Sequence, residues 1–140
     1  MKNNIDLLFV EDNEDYIDFV GRAVHKINNN LNYHYITDGE TAIGYLQQQS
    51  VTNKIAKVIL LDIDLPDING IELLRKIRQI PQLQYIPVIM FSTSDNPQDI
   101  KQSYDYGANA YLVKPVGFSS LTETLKKVCD FWLATNYSYN

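Results

Sequence analysis

Four short apolar runs, each closed by a polar residue, constrain this chain more than anything else in it. Leu7-Leu8-Phe9-Val10 runs into Glu11-Asp12, and Val58-Ile59-Leu60-Leu61 into Asp62. Val88-Ile89-Met90-Phe91 runs into Ser92, and Ala110-Tyr111-Leu112-Val113 into Lys114-Pro115. None of the runs alternates cleanly between apolar and polar, so each reads as a strand covered on both faces. Strands of that kind belong to parallel sheets, whose carboxyl ends lie on one edge, and ligands of open α/β sheets bind at that edge. Three carboxylates, a hydroxyl and a lysine would therefore converge.

The segments between the runs supply the crossovers. Ile5–Val10 is the first expected strand, followed by a helix capped by Asp12 or Asn13 and carrying Ile17, Val20, Val24 and Ile27 at helical spacing. Acids in its first turn suit the positive end of the helix dipole. Leu31–Ile36 reads as a short edge strand, and Asp38-Gly39 opens a helix to about Gln48, with a polar loop over Gln47–Asn53. Lys57–Asp62 is a central strand; after the turn-rich Leu65–Gly70 comes a helix with Ile71, Leu74 and Ile77. Ile86–Ser92 is the fourth strand. Asn96-Pro97 starts a helix that Gly107 ends, with Ile100 and Tyr104 as a thin inward face. Asn109–Val113 is the fifth strand, and a last helix spans about Ser119–Leu133 with Leu121, Leu125, Val128 and Trp132 on one stripe. The alternation is (βα)₅, an α/β three-layer sandwich with right-handed crossovers and helices on both faces. The expected organisation is one domain over 1–140, with its core at about 5–134 and a short tail at 135–140.

Composition excludes several classes. The net charge is −5, and Lys and Arg are scattered apart from Arg75, Lys76 and Arg78. No basic stripe exists to neutralise nucleic-acid phosphates. One cysteine, Cys129, precludes a disulfide framework and reads as a core residue. The apolar runs fall far short of the ~18 residues of a membrane span. Asp6 and Glu11 interrupt the N-terminal apolar segment, so a signal peptide is not expected. A cytoplasmic location follows as an expectation.

Carboxylates gathered at one sheet edge repel one another, at roughly 3 kcal/mol per pair for ~5 Å and an effective dielectric of ~20. A hard cation relieves that repulsion, and an oxygen-only site favours Mg²⁺ or Mn²⁺ over zinc. With such an ion bound, Asp62 is placed to act as a carboxylate nucleophile toward phosphorus. The charge on the transferred oxygens would be shared by the ion, the Lys114 ammonium and the Ser92 hydroxyl. The plainer reading has one acid capping the first helix and another pairing with Lys114. It explains any single residue, but not five polar groups all at strand ends.

These residues resemble the receiver domain of bacterial response regulators, the phosphoacceptor half of two-component signalling. The carriers are Glu11-Asp12, Leu61-Asp62-Ile63-Asp64-Leu65-Pro66 with Asn69-Gly70, Ser92, Gly107-Ala108 and Tyr111-Leu112-Val113-Lys114-Pro115. The likeness runs from about Asp6 to Leu133. It implies a flavodoxin-like fold with a parallel five-stranded sheet of order 2-1-3-4-5. By the resemblance, Asp62 is the phosphorylated aspartate, Asp12 binds Mg²⁺ (or Mn²⁺) directly, Glu11 acts through a metal-bound water, and the Asp64 backbone carbonyl completes the sphere. Lys114 pairs with the phosphoryl group, and its bond to Pro115 is expected to be cis. Ser92 and Tyr111 form the switch pair. The implied protein is a signalling phosphoacceptor whose only catalysis is its own phosphorylation and dephosphorylation.

The implied partners are a histidine kinase or phosphotransfer protein and a downstream protein target. A second copy, docked through the face of helix 4, strand 5 and helix 5, is a further candidate. Neither nucleic acid nor a membrane is implied. Asp64 and Thr93 depart from the commonest family residues beside the path of the hydrolytic water. Asn109-Ala110 replaces the acidic pair of relatives that dimerise for DNA binding. Ser92-Thr93-Ser94 and Phe131-Trp132-Leu133 more closely resemble stand-alone receivers that serve phytochrome-like and hybrid histidine kinases.

Two other readings compete. Asp62-Ile63-Asp64 also resembles the nucleophile motif of Mg²⁺-dependent aspartyl-phosphate phosphatases of the haloacid-dehalogenase type. Those place it on the first strand and continue with threonine, whereas here it lies on the third strand and Leu65-Pro66 follows. A non-phosphorylated binding module of the same fold is the other; Asp62 and Lys114 argue against it. A dinucleotide or flavin site would need a glycine-rich loop where Glu11-Asp12 stands.

Overall fold

The computed structural model describes residues 5–52 and 55–137. Five strands, β1 (Leu7–Val10), β2 (Tyr33–Ile36), β3 (Val58–Leu61), β4 (Val88–Ser92) and β5 (Ala110–Val113), form one sheet of order β2-β1-β3-β4-β5. Every neighbouring pair is parallel. The helices are α1 (Glu14–Ile27), α2 (Gly39–Thr52), α3 (Gly70–Arg78), α4 (Pro97–Asp105) and α5 (Phe118–Val128).

Period-two alternation divides the sheet residues between two cores. Leu7, Phe9, Val58, Leu60, Ile89 and Phe91 face α1 and α5, where they meet Ile17, Val20, Val24, Leu121 and Leu125. Leu8, Val10, Ile59, Leu61 and Met90 face α2 and α3, where they meet Ala42, Leu46, Leu74 and Ile77. β1, β3 and β4 are buried along their whole length. Each fully buried Leu or Phe on them contributes about 1.5–3 kcal/mol. β2 and β5, at the two edges, are only half-buried.

Side-chain oxygens satisfy the free amides at the helix starts. Asn13 accepts from the Tyr16 amide, Asn69 from Ile71 and Asn96 from Gln98. For α1 the cap is thus Asn13, and Asp12 stays outside the helix. Asp67, from the β3–α3 loop, accepts from the Gly39 and Glu40 amides at 2.9 and 2.8 Å, tying that loop to the start of α2.

Several expectations change. α2 continues through the glutamine run to Thr52, because Gln is a good helix former and Ser50 is buried against the fold. The expected polar loop therefore shrinks, and its end at Asn53 lies outside the described residues, as do tail residues 138–140. A single 3₁₀ turn over Pro81–Leu83 buries Leu83. On α4 the buried contact is Ser103, whose hydroxyl donates to the Asp99 carbonyl, while Tyr104 is exposed. α5 gives way to π-helical turns over Cys129–Thr135, with Cys129 buried and its thiol pushed up to about 11 by burial. No described helix is long and apolar enough to cross a membrane.

Candidate functional site

The strand register sets the site. Val10 lies beside Leu61, so the next residues, Glu11 and Asp62, leave the sheet side by side. The Glu11 amide donates to the Ile36 carbonyl (3.0 Å), the Asp62 amide to Val10 (3.1 Å) and the Lys114 amide to Ser92 (2.7 Å). Backbone bonds thus extend the ladder by one step at each functional position, which fixes these Cα atoms as firmly as the strands.

Glu11 and Asp62 are 2% and 3% exposed and Ser92 is fully buried, whereas Asp12 is exposed. Carboxylate oxygens of Glu11, Asp12 and Asp62 lie within 4.8 Å of one another. The Lys114 ammonium contacts Glu11 Oε1 at 2.5 Å and Asp62 Oδ1 at 3.7 Å. Glu11 Oε2 accepts from the Asn13 amide at 3.1 Å. One buried cation against three clustered carboxylates leaves excess negative charge. Burial, above all, pushes the Asp62 carboxyl up from its ordinary 3.8 to about 7. Lys114 pulls it down, while Glu11 and Asp64 add to the rise. An all-oxygen donor set with that surplus fits a hard divalent cation.

The β3–α3 loop closes the site from one side. The Gly70 amide donates to the Ile63 carbonyl at 2.7 Å, and Asp64 bridges to Asn69. A Cβ on Gly70 would stand 2.0 Å from the Asp62 carbonyl oxygen, so this close approach admits only glycine. On the other side, Ser92 Oγ accepts from the Ser94 amide (3.1 Å), and the half-buried Tyr111 donates its hydroxyl to the Ser94 carbonyl (2.9 Å). The expected switch pair is therefore linked through one residue, Ser94.

Two features depart from the sequence reading. No described peptide bond is cis, so Lys114–Pro115 is trans. An Xaa–Pro bond prefers trans by about 0.5–1 kcal/mol unless its surroundings oppose it, and here the turn into α5 is made at Gly117, with φ +90°. The second feature is Tyr16, on the first turn of α1. Its ring centroid lies 4.6 Å from the Lys114 ammonium. Burial, then Glu11 and Asp62, push its phenol up to about 12. An aromatic four residues after Asp12 was the available signal, masked by the apolar stripe it adjoins.

Residues 7–126 match the family model of the response regulator receiver domain. The chain belongs to this family. The receiver is 31% identical over 133 residues to the probable methanogenesis regulatory protein FilR2 of Methanothrix harundinacea, covering 94% of this chain and 86% of that one. It is 37% identical over 102 residues to the response regulator Rcp1 of Synechocystis sp., covering 71% and 69% of the two chains. The Mn²⁺-bound structure of Rcp1 superposes with a TM-score of 0.79 over 96% of this chain and 98% of that one, at 33% identity. The phosphorylated cyanobacterial phytochrome response regulator RcpA superposes with a TM-score of 0.89, at 33% identity, covering 99% and 100%. Receiver domains are signalling proteins that take phosphoryl groups from histidine kinases and bind Mg²⁺ or Mn²⁺ at an acidic pocket. Nothing in these matches points to the phosphatase reading.

Proposed function

We propose that this receiver takes a phosphoryl group on Asp62, with Mg²⁺ or Mn²⁺ held by Asp12, Asp62 and the Asp64 backbone carbonyl, and by Glu11 through water. The observation that carries the reading is the buried Asp62 carboxylate, inside the acidic cluster and 3.7 Å from the Lys114 ammonium. An Asp62 oxygen attacks phosphorus of a phosphohistidine; the O–P bond forms as the P–N bond breaks, and its electron pair leaves with the imidazole. A divalent ion held by these residues would neutralise charge on the transferred oxygens. Lys114 swings from Glu11 toward the phosphoryl group, and the Ser92 hydroxyl gives up the Ser94 amide to donate to it. Loss of that bond loosens the segment that Tyr111 holds through Ser94, which couples the site to its switch.

The whole chain then acts as one cytoplasmic receiver domain. Its phosphoryl donor is a histidine kinase or phosphotransfer protein, and the likeness to the phytochrome response regulator RcpA supports a phytochrome-like kinase in that role. The readout face is α4, β5 and α5, where Tyr104, Tyr106 and Val113 are exposed for a downstream protein or a second copy. Fluoroberyllate, a phosphoryl mimic, tests the site: with Mg²⁺ it should raise the melting temperature well beyond Mg²⁺ alone. Asp62→Asn should lose that increment and Asp12→Ala the Mg²⁺ effect itself. Stabilisation that survives both substitutions contradicts the assignment.

A further inference from the structure

We infer that Tyr16 is a positioning residue for Lys114, its ring face holding the ammonium in place while Glu11 is engaged elsewhere. The inference rests on the phosphoacceptor reading above. Among the described residues, Glu11, Asp62 and the face of Tyr16 approach the charged end of Lys114. Its side chain is only 10% exposed, so water does little to stabilise the charge. Once a cation occupies the cluster, Glu11 and Asp62 share their charge between it and the ammonium, and their hold on Lys114 weakens. The ring offers a third attraction that no metal ion competes for.

The packing of Tyr16 suits that role. Its ring is wedged between Phe9, Phe19 and Phe91, at centroid distances of 6.4, 6.1 and 6.0 Å. Its amide is fixed by the Asn13 cap at 3.0 Å. The ring therefore cannot follow the lysine; the lysine moves across it. The Tyr16 hydroxyl is buried and makes no hydrogen bond among the described residues. A buried hydroxyl without a partner calls for an explanation. Here the ring face, not the hydroxyl, is what the site uses.

Ring electron density can be varied at constant packing. Position 16 would carry phenylalanine, then mono-, di- and pentafluorophenylalanine, and Mg²⁺-dependent labelling by acetyl phosphate would be timed for each. Tyr16→Phe should retain most of the wild-type rate. Stepwise fluorination should slow labelling to about one-tenth. Mg²⁺-induced stabilisation should stay constant across the series, confirming that each variant is folded. A flat rate across the series overturns the role of Tyr16. Absence of labelling in the unmodified protein instead overturns the phosphoacceptor reading, and this inference with it.

Discussion

Lys114 and Glu11, 103 positions apart in sequence, meet at 2.5 Å with their side chains only 10% and 2% exposed. The pair shows how this chain stores a reactive cation. Glu11 holds the lysine within reach of Asp62 and is itself fixed by the Asn13 amide. Removing one partner would leave an unpaired buried charge, among the costlier defects a fold can carry.

The raised Asp62 carboxyl gives stability a definite pH dependence. Its folded value, about 7, lies above its ordinary 3.8. The folded state is therefore favoured at low pH, where the group is protonated, and loses that contribution as pH rises from about 4 to about 7. Without metal, Asp62→Asn should be more stable than wild type at pH 8 by up to about 4 kcal/mol, with the gap closing toward pH 4. Urea unfolding at several pH values measures it. A gap that does not shrink on acidification would contradict the electrostatic account.

Gly70→Ala should damage the site through backbone geometry alone. Its methyl would sit 2.0 Å from the Asp62 carbonyl oxygen, a contact that only backbone movement can relieve. The expected cost is about 3 kcal/mol of stability, with slower labelling of Asp62. Denaturant midpoints and acetyl phosphate kinetics report the two effects separately.

Arg78 is a half-buried cation whose hydrogen bonds go to neutral oxygens. It donates to the carbonyls of Gly107, Leu83 and Ile86 and to Asn109 Oδ1, at 2.8–3.0 Å. Burial lowers its pKa. Asn109 Oδ1 also accepts from the Val88 amide. Arg78→Ala strips donors from four acceptors and should cost about 3 kcal/mol in thermal or chemical unfolding. Labelling at Asp62, on the far end of the sheet, should persist.

The Ser92–Ser94–Tyr111 linkage predicts a separation of phosphorylation from signalling. Ser92→Ala should still be labelled at Asp62. Hydrogen exchange over residues 92–115 should change on fluoroberyllate binding in wild type and respond weakly in the variant. Unchanged exchange in fully occupied wild type would contradict this switch.

The two-faced burial of the central strands and the gathering of Glu11, Asp12, Asp62 and Lys114 were legible in the sequence, from short-range patterning plus the geometry of parallel strands. The sheet order came only through the family resemblance. What escaped depends on contacts between distant segments. Asp67 capping α2 is set by the path of another loop. The extension of α2 to Thr52 and the outward turn of Tyr104 reflect which side chains find a packed neighbour. Tyr16 escaped because helical periodicity describes a face, and says nothing of a lysine arriving from β5.

Covalent labelling tests the central claim most directly. The protein would be incubated with acetyl phosphate and Mg²⁺, and its intact mass and fragments measured before and after hydroxylamine. The account predicts one added phosphoryl group, located on Asp62, removed by hydroxylamine and absent both from Asp62→Asn and from chelator-treated protein. A phosphoryl group that resists hydroxylamine, or that persists in Asp62→Asn, would contradict it.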